Sequence, residues 1–134
     1  MSGSFQLSVV TPEGAVLETE AVSVIFPAFD GEYGVLHNHA PLVTLLGIGE
    51  LRVIRPDASE EHYYVDGGFA QFADNKLSLL TEQAQPLSEV NEADAQHLLE
   101  EARAMEAKDG EEAAIRQAHY ERAWVQKRLA AKSN

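Results

Sequence analysis

Cysteine is absent from the chain. Its absence excludes disulfide staples, thiolate metal sites and a cysteine nucleophile, and it fits a reducing compartment. Basic residues are scarce: 10 Lys and Arg stand against 22 Asp and Glu, a formal net charge of -12 over 134 residues. An acidic surface repels phosphate backbones and anionic lipid, so no nucleic-acid partner is expected. Long hydrophobic runs are also missing, none approaching the ~20 residues that cross a bilayer. The start, Met1-Ser2-Gly3-Ser4, lacks the basic and then apolar segment of a secretory signal. The expectation is a soluble protein that stays where it is made and does not insert into the bilayer.

A fourth absence divides the chain. Beyond Pro86 there is no proline, and of the nine glycines only Gly110 lies there. Gly and Pro mark turns, so the first part has many corners and the second almost none. The second part is rich in Ala, Glu, Gln, Arg and Leu, all good helix formers. The expected boundary falls near Pro86 to Ser88, giving domains 1–87 and 88–134.

The first part reads as short strands. Phe5, Leu7 and Val9 alternate with Gln6, Ser8 and Val10, the period of a half-buried strand. Thr11-Pro12-Glu13-Gly14 makes a turn. Further strands are expected at Ala21 to Phe26, ending at Pro27, then at Leu51 to Arg55, Tyr63 to Val65, Phe69 to Ala73 and Leu77 to Leu80. Asp74-Asn75 forms a two-residue hairpin turn between the last two. Many short strands with closely spaced turns predict a sandwich or barrel. Tyr63, Tyr64 and Phe69 read as strand packing.

The second part reads as an antiparallel helical hairpin. Asn91 caps the first helix, with Asp94 in its first turn. Ala95, Leu98, Leu99, Ala102 and Met105 form one apolar stripe. Ile115, Ala118, Val125 and Leu129 form another, interrupted by Arg122, and Asp109-Gly110 breaks the two apart. Both stripes are thin and rich in Ala, so the hairpin should be weakly held and able to leave its docking surface.

Charge is partitioned as well. From Ala113 to Asn134 five bases face one acid, making the last helix a basic arm on an acidic protein. One reading is a solvated helix face with pairs such as Glu112–Arg116 at i,i+4. The other is an arm that reaches an acidic partner, with Trp124 either in a core or anchoring the contact.

Catalytic signals are thin. In Gly31-Glu32-Tyr33-Gly34-Val35-Leu36-His37-Asn38-His39, two histidines at i and i+2 after a glycine are similar to the first motif of cupins, metal-binding β-sandwich proteins. That motif needs a Glu shortly after, where Val43 and Thr44 stand, and a later strand His, where only helical His97 and His119 remain. A metal needs converging ligands, and two are missing. The plainer reading puts these histidines in a surface loop, with Asp30 and Glu32 hydrating its turn. Gly47-Ile48-Gly49-Glu50 lacks the third glycine of a dinucleotide loop. No Gly-Lys pair supports a Walker-type phosphate loop, and no Ser sits in Gly-x-Ser-x-Gly. The residues alone favour a binding or regulatory module over an enzyme. A generic adaptor remains a third option.

In order along the chain stand Val10-Thr11-Pro12-Glu13-Gly14, Phe26 to Leu36, His39-Ala40-Pro41-Leu42, Gly49-Glu50-Leu51-Arg52-Val53, Gly67-Gly68-Phe69 and Glu101 to Lys108. Their order and spacing resemble the epsilon subunit of bacterial F-type ATP synthases over essentially the whole chain. His37 departs from the family, which usually carries proline there. The resemblance implies an N-terminal antiparallel β-sandwich of about ten strands followed by a C-terminal helical hairpin. It implies a non-catalytic central-stalk subunit of the proton-translocating rotor, peripheral on the cytoplasmic face of the bacterial inner membrane. Its expected partners are the gamma subunit, the membrane rotor ring of c subunits, and the alpha/beta catalytic head.

The resemblance also implies residue roles. Glu32, Tyr33, His39, Ala40 and Pro41 would face the ring and stalk. Arg116, Arg122, Lys127 and Arg128 would meet an acidic segment of beta and inhibit hydrolysis when the hairpin extends. No metal or cofactor is expected. Some family members bind regulatory ATP through Ile or Leu, Asp, two residues, Arg, Ala. The matching positions are Leu99, Glu100, Arg103 and Ala104, with Glu100 in place of Asp, so any ATP binding would be weak, and Arg103 could instead pair with Glu100.

Overall fold

The computed structural model describes residues 3–132. They form two compact units, one ending at Pro86 and one beginning at Leu87. The first holds ten strands: β1 (Phe5–Thr11), β2 (Gly14–Ala21), β3 (Ser23–Ala28), β4 (Gly31–Leu36), β5 (Leu42–Leu45), β6 (Ile48–Ile54), β7 (Glu60–Asp66), β8 (Phe69–Ala73), β9 (Lys76–Leu80) and β10 (Ala84–Pro86). They make two five-stranded sheets, ordered β2-β1-β9-β8-β5 and β10-β7-β6-β3-β4. Every pairing is antiparallel except β1 with β9, which is parallel.

Alternation builds the core. Phe5, Leu7 and Val9 of β1 point inward, as do Leu51 and Val53 of β6 and Leu77 and Leu79 of β9. With Val24, Phe26, Val35, Val65 and Phe72 they form one contiguous apolar cluster between the sheets. Asp74 and Asn75 have φ of 51° and 57°, the left-handed pair of a type I′ hairpin turn, so the β8–β9 turn takes the expected form.

Several expectations need correction. β3 does not stop at Pro27 but runs through it to Ala28. Its register with β6 ends at Ile25, but the Pro27 carbonyl still accepts the Gly47 N–H at 2.8 Å; the Gly47 carbonyl accepts the Gly67 N–H at 3.0 Å, so the missing proline N–H leaves no acceptor open. Gly49 faces the Pro27 pyrrolidine, and a Cβ there would sit 2.9 Å from Pro27 Cβ. The segment Gly31–Leu36 is strand β4 rather than loop, and Glu32 lies on it opposite Pro27. β2 occupies Gly14–Ala21, ahead of the expected start at Ala21.

The second unit opens with a single 3-10 turn, Leu87–Glu89, followed by α1 (Glu92–Ala104) and α2 (Gly110–Lys132). Asn91 is the α1 cap: its Oδ1 accepts the Asp94 N–H at 2.7 Å. Asp109 does more than break the helices. Its Oδ1 accepts the Glu112 N–H at 2.8 Å, and Glu112 Oε2 reaches back to accept the Lys108 N–H at 3.0 Å. The first bond satisfies a backbone donor that the helix start leaves open, and the second ties down the residue before the cap. In α1 the buried residues are Ala95, Leu99 and Ala102, within the expected stripe. In α2 they are Ala123, Gln126, Leu129 and Ala130, a face that keeps Leu129 of the expected stripe but is rotated from the rest, and Ile115 is exposed.

Candidate functional site

The first cluster lies where the edge strands β4 and β5 close their two sheets. Tyr33 of β4 stacks on Phe26 with ring centroids 5.6 Å apart. His39 meets Tyr33 edge-on at 5.8 Å and Phe72 of the opposite sheet at 5.8 Å, and Phe72 meets Phe5 at 5.6 Å. The five rings form a chain from one sheet to the other, each contact worth about 0.5–1.5 kcal/mol beyond area burial. The His39 tautomer follows from its neighbours. Nδ1 lies 2.6 Å from the Ala40 carbonyl, which can only accept, so Nδ1 carries the proton. Nε2 then accepts from the Tyr33 hydroxyl at 3.4 Å.

The corner before Pro41 is bolted from below by Asn75. Its Oδ1 accepts the Asn38 N–H at 2.8 Å and its Nδ2 donates to the Ser4 carbonyl at 3.0 Å. Asn38 itself has φ 59°, which asparagine tolerates well. Glu32 is exposed and pairs with Arg52 of β6, one guanidinium nitrogen lying 3.3 Å from both carboxylate oxygens. Glu32, Tyr33, His39, Ala40 and Pro41 are therefore brought to one edge of the sandwich. Ala40 and Pro41 are exposed at the bend itself.

A second surface was missed by sequence reasoning. Strand registers align Leu45, Phe69, Leu80, Val10 and Ala15 in one row across the outer face of the β2-β1-β9-β8-β5 sheet. Leu45 is 50%, Phe69 53% and Leu80 53% exposed, so Phe69 is not core packing as expected. Pro12, Phe69 and Leu80 help line a hollow of about 340 Å³ beside this row. Val43 extends the apolar surface on β5. Phe29, 67% exposed, adjoins it, its N–H donating to the Leu45 carbonyl. A sequence signal existed: Phe69 and Phe72 are three apart in one strand, so they cannot share a face.

On the helical unit, the expected cations take different roles. Arg116 is half-buried and structural: Nε donates to the Ala102 carbonyl at 3.2 Å, and the guanidinium sits 5.4 Å from the Tyr120 ring. It ties α2 to the last turn of α1, and Glu112, its expected partner, serves the cap instead. Arg122 is half-buried, Arg128 exposed, and Lys127 lies 5.5 Å above the Trp124 ring. Leu99 is buried, while Glu100, Arg103 and Ala104 are exposed. Among the described residues no ion pair joins Arg103 to Glu100; the neighbouring pair is His97–Glu101 at 2.9 Å.

The histidines do not build a metal centre. His37 is exposed in the turn after β4, and both nitrogens of His39 are engaged as described. His62 lies between Glu50 at 2.6 Å and Glu60 at 3.4 Å. Among the described residues no three His, Asp or Glu side chains converge to hold a metal ion. No described helix is long and apolar enough to cross a membrane.

Residues 4–87 match the family model described as the β-sandwich domain of the ATP synthase delta/epsilon chain. An ATP synthase epsilon chain of Rhodopirellula baltica is 41% identical over 120 residues, spanning 90% of this chain and 93% of that one. Another, from Desulfitobacterium hafniense, is 42% identical over 91 residues, 68% of each chain. Among solved structures, a chain of the Euglena gracilis mitochondrial ATP synthase, in an OSCP/F1/c-ring structure, superposes with a TM-score of 0.81 at 25% identity, covering 100% of this chain and 84% of that one. A chain from the central stalk and c-ring of the Tetrahymena thermophila mitochondrial ATP synthase gives 0.74 at 14% identity over 93% and 95%, a likeness of fold.

Proposed function

The chain belongs to the ATP synthase delta/epsilon family, whose epsilon chain is a non-catalytic stalk subunit, and on that premise we propose that it couples gamma to the membrane rotor ring and restrains ATP hydrolysis. Residues 1–87 are the platform and residues 88–134 the regulatory element. The observation that carries the coupling role is the apolar row of Leu45, Phe69 and Leu80 on the outside of an acidic sandwich. Exposed apolar patches of this kind mark protein interfaces, and here the occupant is gamma. The polar edge of Glu32, Tyr33, His39, Ala40 and Pro41 is the part turned toward the polar loops of the ring. A stiff sandwich suits it to passing torque between ring and stalk.

The helical unit supplies the restraint. Its cations Arg122, Lys127 and Arg128 suit an acidic segment of beta in the alpha/beta head, where complementary charge favours docking without a deep pocket. Arg116 is the fourth cation of that contact, and its bond to the Ala102 carbonyl also holds the hairpin together. Regulatory ATP, where it binds, would meet the exposed Glu100 and Arg103; calorimetric titration with no heat would dispose of that site. The protein works at the cytoplasmic face of the membrane as a peripheral part of the complex.

The coupling reading is tested by a Leu45→Asp, Phe69→Asp, Leu80→Asp variant. It should fold, since all three side chains are already solvent-exposed, yet fail to co-purify with gamma. Full retention of gamma would sink the assignment of that face.

A further inference from the structure

Trp124 is the sole tryptophan of the chain and is 56% exposed on α2. It lies on a face formed with Gln117, Glu121, Arg128 and Ala131, all exposed, and turned away from buried Ala123, Gln126 and Ala130. The indole is the one large apolar surface on this face and carries a polar N–H at its edge, the amphipathic character that enriches tryptophan at interfaces. Its surroundings are biased. From Arg122 to Lys132 there are four bases and no acid. Lys127 sits one turn on, its ammonium 5.5 Å above the ring, and Arg128 follows at i+4.

We propose that Trp124 is the anchor of the inhibitory contact, packing its indole against an acidic segment of the head while Lys127 and Arg128 meet the carboxylates around it. This rests on the reading that the helical unit restrains the head. Charge alone makes a poor anchor, since exposed ion pairs are weak and salt-screened. An aromatic side chain excluded from water at the centre, ringed by charge pairs, is the usual composition of an energetic hot spot. The indole N–H is a donor with no acceptor role, so a carboxylate-rich partner satisfies it directly. Membrane insertion is disfavoured by the same face: Gln117, Glu121 and Ala131 provide no second large apolar side chain for an interfacial helix.

The test uses a head complex purified without this chain, titrated with the full-length protein and with folded W124F, W124A and R122Q/K127Q/R128Q variants. Tryptophan→alanine should raise the half-inhibitory concentration about tenfold or more. Tryptophan→phenylalanine, which keeps an aromatic ring, should raise it about threefold. The triple glutamine variant should also inhibit poorly. With 5-fluorotryptophan at position 124, the single fluorine resonance should lose its solvent-isotope shift on binding. W124A inhibition equal to wild type, with the glutamine variant impaired, would overturn the anchor and leave the inhibitory reading standing. No inhibition by the wild-type chain would overturn both. Capture of wild type but not W124A by phosphatidylglycerol vesicles would assign the indole to a membrane surface and overturn the proposal.

Discussion

The two units bury different chemistry. The sandwich buries Phe26, Phe72, Leu7, Leu51, Leu77 and Leu79 almost completely, in contacts that join strands far apart in sequence. The helical unit buries smaller side chains and no aromatic: Ala95, Ala102, Ala123 and Ala130 beside Leu87, Val90, Leu99, Leu129 and the polar Gln126. A fully buried Leu or Phe side chain gives about 1.5–3 kcal/mol, whereas an alanine methyl gives roughly 0.8 kcal/mol. The helical unit leans instead on local devices: the Asn91 cap, the Asp109–Glu112 box and the Arg116–Ala102 tie. A structure held by large non-local contacts resists rearrangement. One that leans on caps and smaller side chains loses less when its helices change what they pack on. The proposed roles, a stiff platform and a movable arm, require a difference of this kind.

The sharpest way to break the contrast is at Gly68. Its φ is +107°, and a Cβ there would stand 1.8 Å from the Leu80 carbonyl oxygen. Neither the backbone conformation nor the space admits a side chain. Gly68→Ala should therefore cost about 3 kcal/mol or more in denaturant unfolding of the sandwich. A loss below about 1 kcal/mol would mean that the β7–β8 junction yields, and that the platform is softer than its core suggests.

What sequence reasoning could and could not see follows the same division. Phe5, Leu7 and Val9 were legible because only one face of β1 is buried, and Asp74-Asn75 because its turn demands residues that accept positive φ. β4, β5 and β10 lie at sheet edges, where solvent on two sides erases alternation; β4 buries Val35 alone. Pro27 read as a stop because sequence cannot tell that the Gly67 N–H takes the acceptor that the proline leaves without a donor. The α2 face was misjudged because alanine counts equally on every side of a helix, leaving Ile115 and Val125 to set a false phase. The polar edge at Glu32 and His39 came from motif order. The apolar row came only with the register that lines up Leu45, Phe69 and Leu80 from three strands.

A smaller effect separates the units by locality. Asp109→Ala removes the acceptor for the Glu112 N–H and should cost about 1 kcal/mol, confined to the helical unit. The next residue gives the opposite sign. A Cβ on Gly110 meets nothing within 4 Å, so Gly110→Ala should stabilise α2 by up to about 0.5 kcal/mol. Amide exchange would read both changes in α2 and leave the sandwich strands as they are. Faster exchange in β6 or β7 of the Asp109 variant would show that the helical unit carries stability for the platform, against the division drawn above.

The mildest test is a titration. The Tyr63 hydroxyl is pushed up to about 12 from an ordinary 10, first by burial, then by its 2.6 Å hydrogen bond to Glu61 and that carboxylate's charge. The Glu61–Arg55 ion pair opposes the shift only in part. Between those values the unfolded chain has lost the phenolic proton and the folded chain keeps it. The folded state then binds more protons, so stability falls as pH rises. The Tyr63 contribution is complete below pH 10 and fades toward 12. Tyr63→Phe keeps the buried ring and removes the proton. The denaturation midpoint of the sandwich should decline less steeply above pH 10 in that variant than in wild type. Equal slopes would mean that Tyr63 ionises as readily folded as unfolded, and that this end of β7 is open to water.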